Sequence, residues 1–177
     1  ALTGTRHDEL HALVTPFVFR KYLDFDAYEG LRDVHRQIGE QGKRNDYGPN
    51  IKLGPGGIRE IEFIVQALQL VRGGREQGLR VRGTLPALAA IAERNLLPEA
   101  RIAPLRDAYF FLRNVEHRLQ YRDDRQTQTL PADAAERDAL ARAAGFARVE
   151  GFEEALRAHR ATVAAHFSEL FGGPASP

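Results

Sequence analysis

The sequence contains no cysteine, and this absence excludes two kinds of site. Disulfide bonds and zinc–thiolate centres both need cysteine sulfur, so neither occurs within this chain. Chains without cysteine are also typical of a reducing compartment, and we expect a cytoplasmic protein. The six histidines show no metal-ligand spacing such as His-Glu-x-x-His, so no metal site is expected among these residues.

Long apolar runs and blocks of like charge are missing as well. No segment approaches the roughly 20 apolar residues that a membrane-spanning helix needs, and the N-terminus has no signal-peptide pattern. The 25 basic and 24 acidic residues are interspersed and give a net charge of +1, which argues against a nucleic-acid surface. We therefore expect no membrane and no nucleic-acid partner. A length of 177 residues with 43% hydrophobic content fits one domain over 1–177, with about 1–15 and 172–177 peripheral or frayed.

The periodicity predicts helices throughout the chain. Apolar residues recur at intervals of three and four in segments near 58–71, 84–96, 98–121, 140–144 and 149–171. A short helix over 6–13 should stop ahead of Pro16, and 17–19 fits either an extended piece or one more helical turn. No run alternates in the manner of a strand. The predicted fold is an all-α helical bundle.

Two acidic residues interrupt the apolar faces of these helices. At 100° per residue, Glu60 and Glu116 fall on the inner faces of their helices, whereas Glu62 lies on a polar strip and Gln120 at an edge. A bare carboxylate in such a position is costly. We expect Glu60 and Glu116 to be buried and hydrogen-bonded.

The most informative stretch is the glycine-rich loop, residues 50–57, which leads directly into the helix at 58. If Gly57 is the N-cap, the N–H groups of the first turn are unpaired and lie at the positive end of the helix dipole. Two cations flank that end. These features indicate an anion site for phosphate or carboxylate, formed by Lys52, Gly54, Gly56, Gly57 and Arg59.

A structural interpretation of the same loop stays open. Glycine-rich turns commonly start helices, and Glu60 at the third helical position is placed to fold back on the loop N–H groups as a capping acid. No Gly-Lys-Ser/Thr follows the glycines, so the loop is not a P-loop. Asp24 and Asp26 have the spacing of the aspartate pair with which nucleotidyltransferases bind magnesium. In those enzymes a Gly-Ser turn precedes the pair, whereas here no such turn is present and a helix starts, which favours an N-cap role.

Five stretches, in this order, resemble the glutamine synthetase adenylyltransferase family: 16–25, 29–33, 50–66, 70–76 and 126–131. The resemblance implies the PII-uridylyltransferase-like helical domain that follows a nucleotidyltransferase domain. The Ile-Arg-Glu-Ile-Glu-Phe form at 58–63 is more similar to the N-terminal, adenylyl-removing half, because the adenylylating half usually has an aspartate in place of Arg59 and Glu60.

The resemblance further implies what the parent enzyme does. It would remove AMP from glutamine synthetase by magnesium-dependent phosphorolysis, with ATP, ADP and phosphate as ligands and the PII signalling protein as a second partner. The catalytic Gly-Ser turn and its metal-binding acids are missing from this sequence, so the isolated chain is expected to be inactive and to bind no cofactor alone. Its loop would complete the neighbouring site, with Glu60 and Glu62 orienting the cations and glycines.

Two other functions are compatible with the sequence. The uridylyltransferase of PII proteins carries a similar Lys-x-Gly-x-Gly-Gly-x-Arg loop, although the residues after its arginine differ from those here. The second is a non-catalytic module that docks glutamine synthetase or PII, with the loop serving only as a helix start.

Overall fold

Helices form where the apolar residues repeat at helical spacing. The computed structural model describes residues 3–19, 30, 33, 47–123 and 127–171. In these ranges the helices are α1 (Thr3–Val18), α2 (Ile58–Arg72), α3 (Thr84–Glu93), α4 (Glu99–Asp123), α5 (Ala134–Ala143) and α6 (Val149–Phe171), with a 3₁₀ turn at Gln77–Leu79. Extended pairing among the described residues is limited to an isolated bridge between Asn50 and Thr129. The prediction of an all-α fold is confirmed.

The core lies between α2, α4 and α6. α4 packs along α6, and α2 contacts both of them as well as α3. Each helix contributes fully buried apolar side chains, among them Ile61 and Ile64 of α2, Leu105 and Leu112 of α4, and Phe152 and Val163 of α6. Burying a side chain of this size contributes about 1.5–3 kcal/mol, so the helices are held by packing. The predicted inner faces of the three helices are confirmed.

The end of α1 differs from its prediction. The helix was expected to stop ahead of Pro16 but includes it and ends at Val18. A proline removes a helical hydrogen bond and crowds the preceding turn, yet here only two helical residues follow it. The Phe19 N–H still donates to the Thr15 carbonyl at 2.9 Å, so residues 17–18 form the further helical turn.

The C-terminal end of α3 also differs from its prediction. The helix begins at Thr84, as the predicted segment near 84–96 does, and its N-cap is Gly83 at φ 89°. Pro86 remains in the first turn, where its missing N–H is harmless. The helix ends at Glu93 instead of near 96, because Asn95 takes the left-handed conformation at φ 52° and the Leu96 N–H bonds back to Ile91.

The remaining predicted segments are settled only in part. α5 is longer than the predicted 140–144, since Asp133 caps it by accepting from the Glu136 N–H at 2.9 Å. The predicted N-cap at Asp24 or Asp26, most of the helix after it, and the tail from 172 lie outside the described residues. No helix of the described ranges is long and apolar enough to cross a membrane.

Candidate functional site

The glycine-rich loop is closed by its own backbone. The Asn50 Oδ1 atom accepts from the N–H groups of Lys52 at 2.9 Å and Leu53 at 2.7 Å, and the Gly54 N–H donates to the Asn50 carbonyl. An asparagine side chain that bonds backbone two and three residues ahead stabilises a turn. Asn50 is therefore the residue that folds the loop back toward α2.

This folding brings loop carbonyls to the start of α2. The N–H groups of Ile58 and Arg59 donate to the carbonyls of Ile51 and Lys52, each at 3.1 Å, and the Glu60 N–H donates to Gly57. Gly57 is the N-cap, as predicted. The expectation that the first-turn N–H groups are unpaired is wrong, because the loop itself supplies their acceptors.

Glu60 also folds back on the loop. Its carboxylate accepts a hydrogen bond from the Gly56 N–H and lies near the Arg160 guanidinium. Its Oε2 atom is buried and has no hydrogen-bond partner among the residues that the structure describes. Burial raises the pKa of Glu60, while the Gly56 bond and Arg160 act in the opposite direction. The capping-acid interpretation of Glu60 describes its geometry.

Arg160 of α6 is enclosed by the same loop. Its Nε atom donates to the Pro55 carbonyl at 2.8 Å and its Nη1 atom donates to the Gly48 carbonyl at 2.9 Å. Burial lowers the pKa of Arg160, and the nearby Glu60 carboxylate acts in the opposite direction. Arg160 thus ties α6 to the loop through two carbonyls and one nearby carboxylate.

The three glycines are explained by this close approach. A Cβ atom on Gly54 would overlap the Arg160 guanidinium, and one on Gly56, which has φ 68°, would overlap the Arg160 backbone. A Cβ on Gly57 would come within 2.6 Å of the Lys52 carbonyl. Glycine is needed because the loop packs against α6 and itself. Sequence reasoning missed Arg160, which lies 105 residues from Pro55 in a helix rich in charged residues.

A second segment pairs with the loop. The Ile51 N–H donates to the Gln128 carbonyl at 2.9 Å, and the Leu130 N–H donates to the Pro49 carbonyl at 3.0 Å. The bridge at Asn50 and Thr129 lies between these bonds. The stretch 50–66 and the described part of the stretch 126–131, which both carry the family resemblance, are therefore neighbours in the fold.

The Glu116 cluster, formed by Lys52, Arg113, Glu116 and Gln128, lies beside this pairing. Glu116 is 1% exposed, and the Arg113 guanidinium donates to its Oε2 atom. Its Oε1 atom accepts from the Gln128 Nε2 atom at 3.2 Å and lies 3.8 Å from the Lys52 Nζ atom. The prediction that Glu116 is buried and hydrogen-bonded is confirmed.

The other candidate residues are placed apart. Arg59 is exposed on the first turn of α2 and has no ion-pair partner among the described residues. Glu62 and Gln120 are half-buried, and neither side chain has a hydrogen bond within the described ranges. The structure brings Lys52 together with Glu116, and Glu60 together with the glycines. Arg113, Gln128 and Arg160 were not predicted, since nothing in the local sequence distinguishes them from surface residues.

Comparisons with known proteins identify the family. A family model described as GlnD PII-uridylyltransferase matches residues 30–171. The chain belongs to this family. The chain is also 50% identical, over 173 residues, to the bifunctional glutamine synthetase adenylyltransferase/adenylyl-removing enzyme of Aromatoleum aromaticum. The matched residues cover 98% of the chain and 18% of that enzyme.

Other relatives carry the same name. The enzyme of Chromobacterium violaceum is 50% identical, and the match covers 97% of the chain and 19% of that enzyme. The enzyme of Neisseria meningitidis serogroup A is 47% identical, and the match covers 93% of the chain and 18% of that enzyme. The resemblance to glutamine synthetase adenylyltransferases is confirmed. The chain spans about a fifth of the length of the curated relatives it matches.

Proposed function

We propose that the chain is the helical domain of the adenylyl-removing half of a glutamine synthetase adenylyltransferase. The observation that carries this proposal is identity near 50% over almost the whole chain with enzymes named for both activities. The Ile-Arg-Glu-Ile-Glu-Phe form at 58–63 favours the adenylyl-removing half. In the parent enzyme a nucleotidyltransferase domain would precede this chain, the reaction would be phosphorolysis of adenylyl-tyrosine in the cytoplasm, and PII would regulate it.

The loop would supply positive charge to the neighbouring catalytic domain. Because the first-turn N–H groups of α2 bond to loop carbonyls, an anion at this junction would depend on side chains. Arg59 is exposed and Lys52 is one-third exposed, so both cations are accessible. Phosphoryl and nucleotidyl transfer depend on positioning and on charge stabilisation, which fixed cations provide. Gly54, Gly56, Gly57 and Glu60 would hold the loop in shape, with Glu62 beside it.

We propose no magnesium site in the described part of the chain. Among these residues no three histidine, aspartate or glutamate side chains gather in a group that could hold a metal ion. No step of the reaction is therefore assigned to a metal bound here. The role proposed for this chain is to bind and orient an anionic group of a nucleotide or free phosphate.

The test is carried out in the full-length enzyme that contains this chain. Arg59→Ala and Lys52→Ala should each lower ADP release from adenylylated glutamine synthetase about tenfold or more, as loss of a charge-stabilising contact does. Arg157→Ala, which removes an exposed arginine of α6, is the matched control and should leave the rate unchanged. Melting temperatures of all three variants separate lost catalysis from lost stability. This control is needed because Lys52 also balances the negative charge of the buried Glu116 carboxylate. Normal ADP release by the Arg59 variant would contradict the role proposed for the loop.

The description of the family model favours a second candidate, a PII uridylyltransferase. It is tested by supplying the same full-length enzyme with PII and UTP. Transfer of a uridylyl group to PII, with no ADP release from adenylylated glutamine synthetase, would replace the first proposal with the second.

A further inference from the structure

The Glu116 cluster contains more positive charge than its carboxylate needs. One buried carboxylate is balanced by one cation, yet both Arg113 and Lys52 lie against it, and Gln128 donates to it as well. Counting the described residues, two cations around one carboxylate leave an excess charge of +1. Like charges held close together repel, so this arrangement is stabilised further when an anion binds.

The exposed side of the cluster consists of the two cations. The Glu116 side chain is 2% exposed, whereas the side chains of Lys52 and Arg113 are 32% and 35% exposed. An arginine has five N–H donors and a lysine ammonium has three, and the carboxylate uses only part of them. Each of the two side chains therefore keeps N–H donors that Glu116 does not use, together with about a third of its surface in solvent.

The Arg113 side chain is held in place before any ligand arrives. Its guanidinium lies over the Tyr109 ring, 5.8 Å from its centroid, and donates to Glu116 one helical turn away on α4. The Lys52 backbone lies in the loop that Asn50 closes, and Gln128 belongs to the segment paired with that loop. Because packing and hydrogen bonds already restrict the Arg113 side chain, binding an anion costs it less conformational entropy.

We propose that Lys52 and Arg113 form a phosphate-binding pair, positioned by Glu116 and Gln128. The guanidinium fork matches two phosphate oxygens, and the ammonium adds a point charge beside it. The ligand is inorganic phosphate or a phosphate group of a nucleotide. The inference rests on the proposed function for the origin of this phosphate, but binding itself is a property of this chain alone.

The experiment measures phosphate binding to the 177-residue chain. A titration with inorganic phosphate is followed by nitrogen–proton NMR at the Arg113 side chain and at the backbone of residues 52, 116 and 128. A parallel titration uses sodium chloride at matched ionic strength, and a third uses ADP. A saturable shift with phosphate and none with chloride supports the proposal. Tighter binding of ADP assigns the site to a nucleotide phosphate, and equal or weaker binding of ADP assigns it to free phosphate.

Variants separate a ligand site from simple neutralisation of Glu116. Arg113→Gln should weaken phosphate binding at least tenfold, whereas Arg157→Gln should leave it unchanged. If Arg113→Gln fails to fold, Arg113→Lys keeps a charge beside Glu116 but loses the fork, and it should also bind phosphate more weakly. A folded wild-type chain that shows no phosphate-specific shift up to about 50 mM, an upper limit for weak anion contacts, overturns the proposal.

Failure of this inference is distinguishable from failure of the proposed function. Phosphate binding by the chain, together with normal ADP release by the Arg59 and Lys52 variants of the full-length enzyme, would reject the catalytic role and keep the site. Absent phosphate binding, together with reduced ADP release by the Arg59 variant, would reject the site and keep the proposed function.

Discussion

Glu60 and Glu116 both interrupt apolar helix faces, but the two carboxylates differ in how fully they are hydrogen-bonded. Glu116 receives a hydrogen bond from Arg113 and one from Gln128 and lies near Lys52. Glu60 accepts from one N–H and lies near Arg160, and its second oxygen is buried without a hydrogen bond from any described residue. Helical periodicity predicts that both acids are buried, since their direction depends only on local sequence. Their partners come largely from distant segments, so periodicity cannot identify them.

The raised pKa of Glu60 predicts a pH-dependent effect of Glu60→Gln. Because burial raises the folded-state pKa above the unfolded value, the wild-type group favours folding fully below about pH 4.5, and this contribution is lost as the pH rises through the folded-state pKa. The neutral glutamine has no such loss. The variant should therefore gain stability relative to the wild type as the pH rises above about 4.5, as measured by urea unfolding. Glu154→Gln on the exposed face of α6 is the control, and a Glu60→Gln difference that does not change with pH would contradict the prediction.

At the scale of elements, the loop and α6 form one packed unit. Arg160 donates to two loop carbonyls, and its backbone fills the space beside Gly56. The helices themselves follow from the sequence because each has an apolar face of its own. The loop was predicted as a helix start, but its fixed shape depends on a side chain more than a hundred residues away.

Substitution of Gly56 tests this packing. Gly56→Ala places a methyl group at φ 68° and against the Arg160 backbone, so we expect a loss of roughly 2–4 kcal/mol of unfolding free energy from backbone strain and overlap together. Gly145→Ala is the matched control. Gly145 has φ 93°, but its added methyl group would have no atom within 4 Å, so strain alone should cost about 1 kcal/mol. Chemical denaturation measures both losses of unfolding free energy. Equal losses for the two variants would show that the Arg160 backbone moves away from the added methyl group and that the predicted overlap costs nothing.

At the scale of the whole molecule, the all-α class, the bounds of α6 and the inner faces of the long helices could be predicted from the sequence. The helix ends at Pro16 and Asn95 could not, because local hydrogen bonds near a terminus outweigh residue preferences there. The glycine-rich loop was predicted as a candidate anion site, and that role stays a prediction, but the loop does lie at the start of α2 as expected. Its contacts were not predicted, since Asn50, Gln128 and Arg160 are ordinary polar residues until the chain folds.

The isolated chain should be mostly helical and catalytically silent. Its core-facing stripes are complete, but the sequence has no Gly-Ser turn followed by the metal-binding acidic pair of a nucleotidyltransferase. Circular dichroism should show a helical spectrum with a cooperative melt. Incubation with adenylylated glutamine synthetase, phosphate and magnesium should release no ADP, with the full-length enzyme as the positive control. Measurable turnover by the chain alone would contradict the domain assignment.

The closed hydrogen bonding of the loop has a consequence for how the protein opens. Residues 50–57 have the composition of a flexible linker, yet the N–H groups of Gly54 and Gly57 have carbonyl acceptors inside the loop, and the Ile51 N–H bonds to the neighbouring segment. Amide hydrogens exchange with solvent only when such bonds break. The loop should therefore not fray independently. Its amides should exchange together with those of the first turn of α2, when the loop separates from α6.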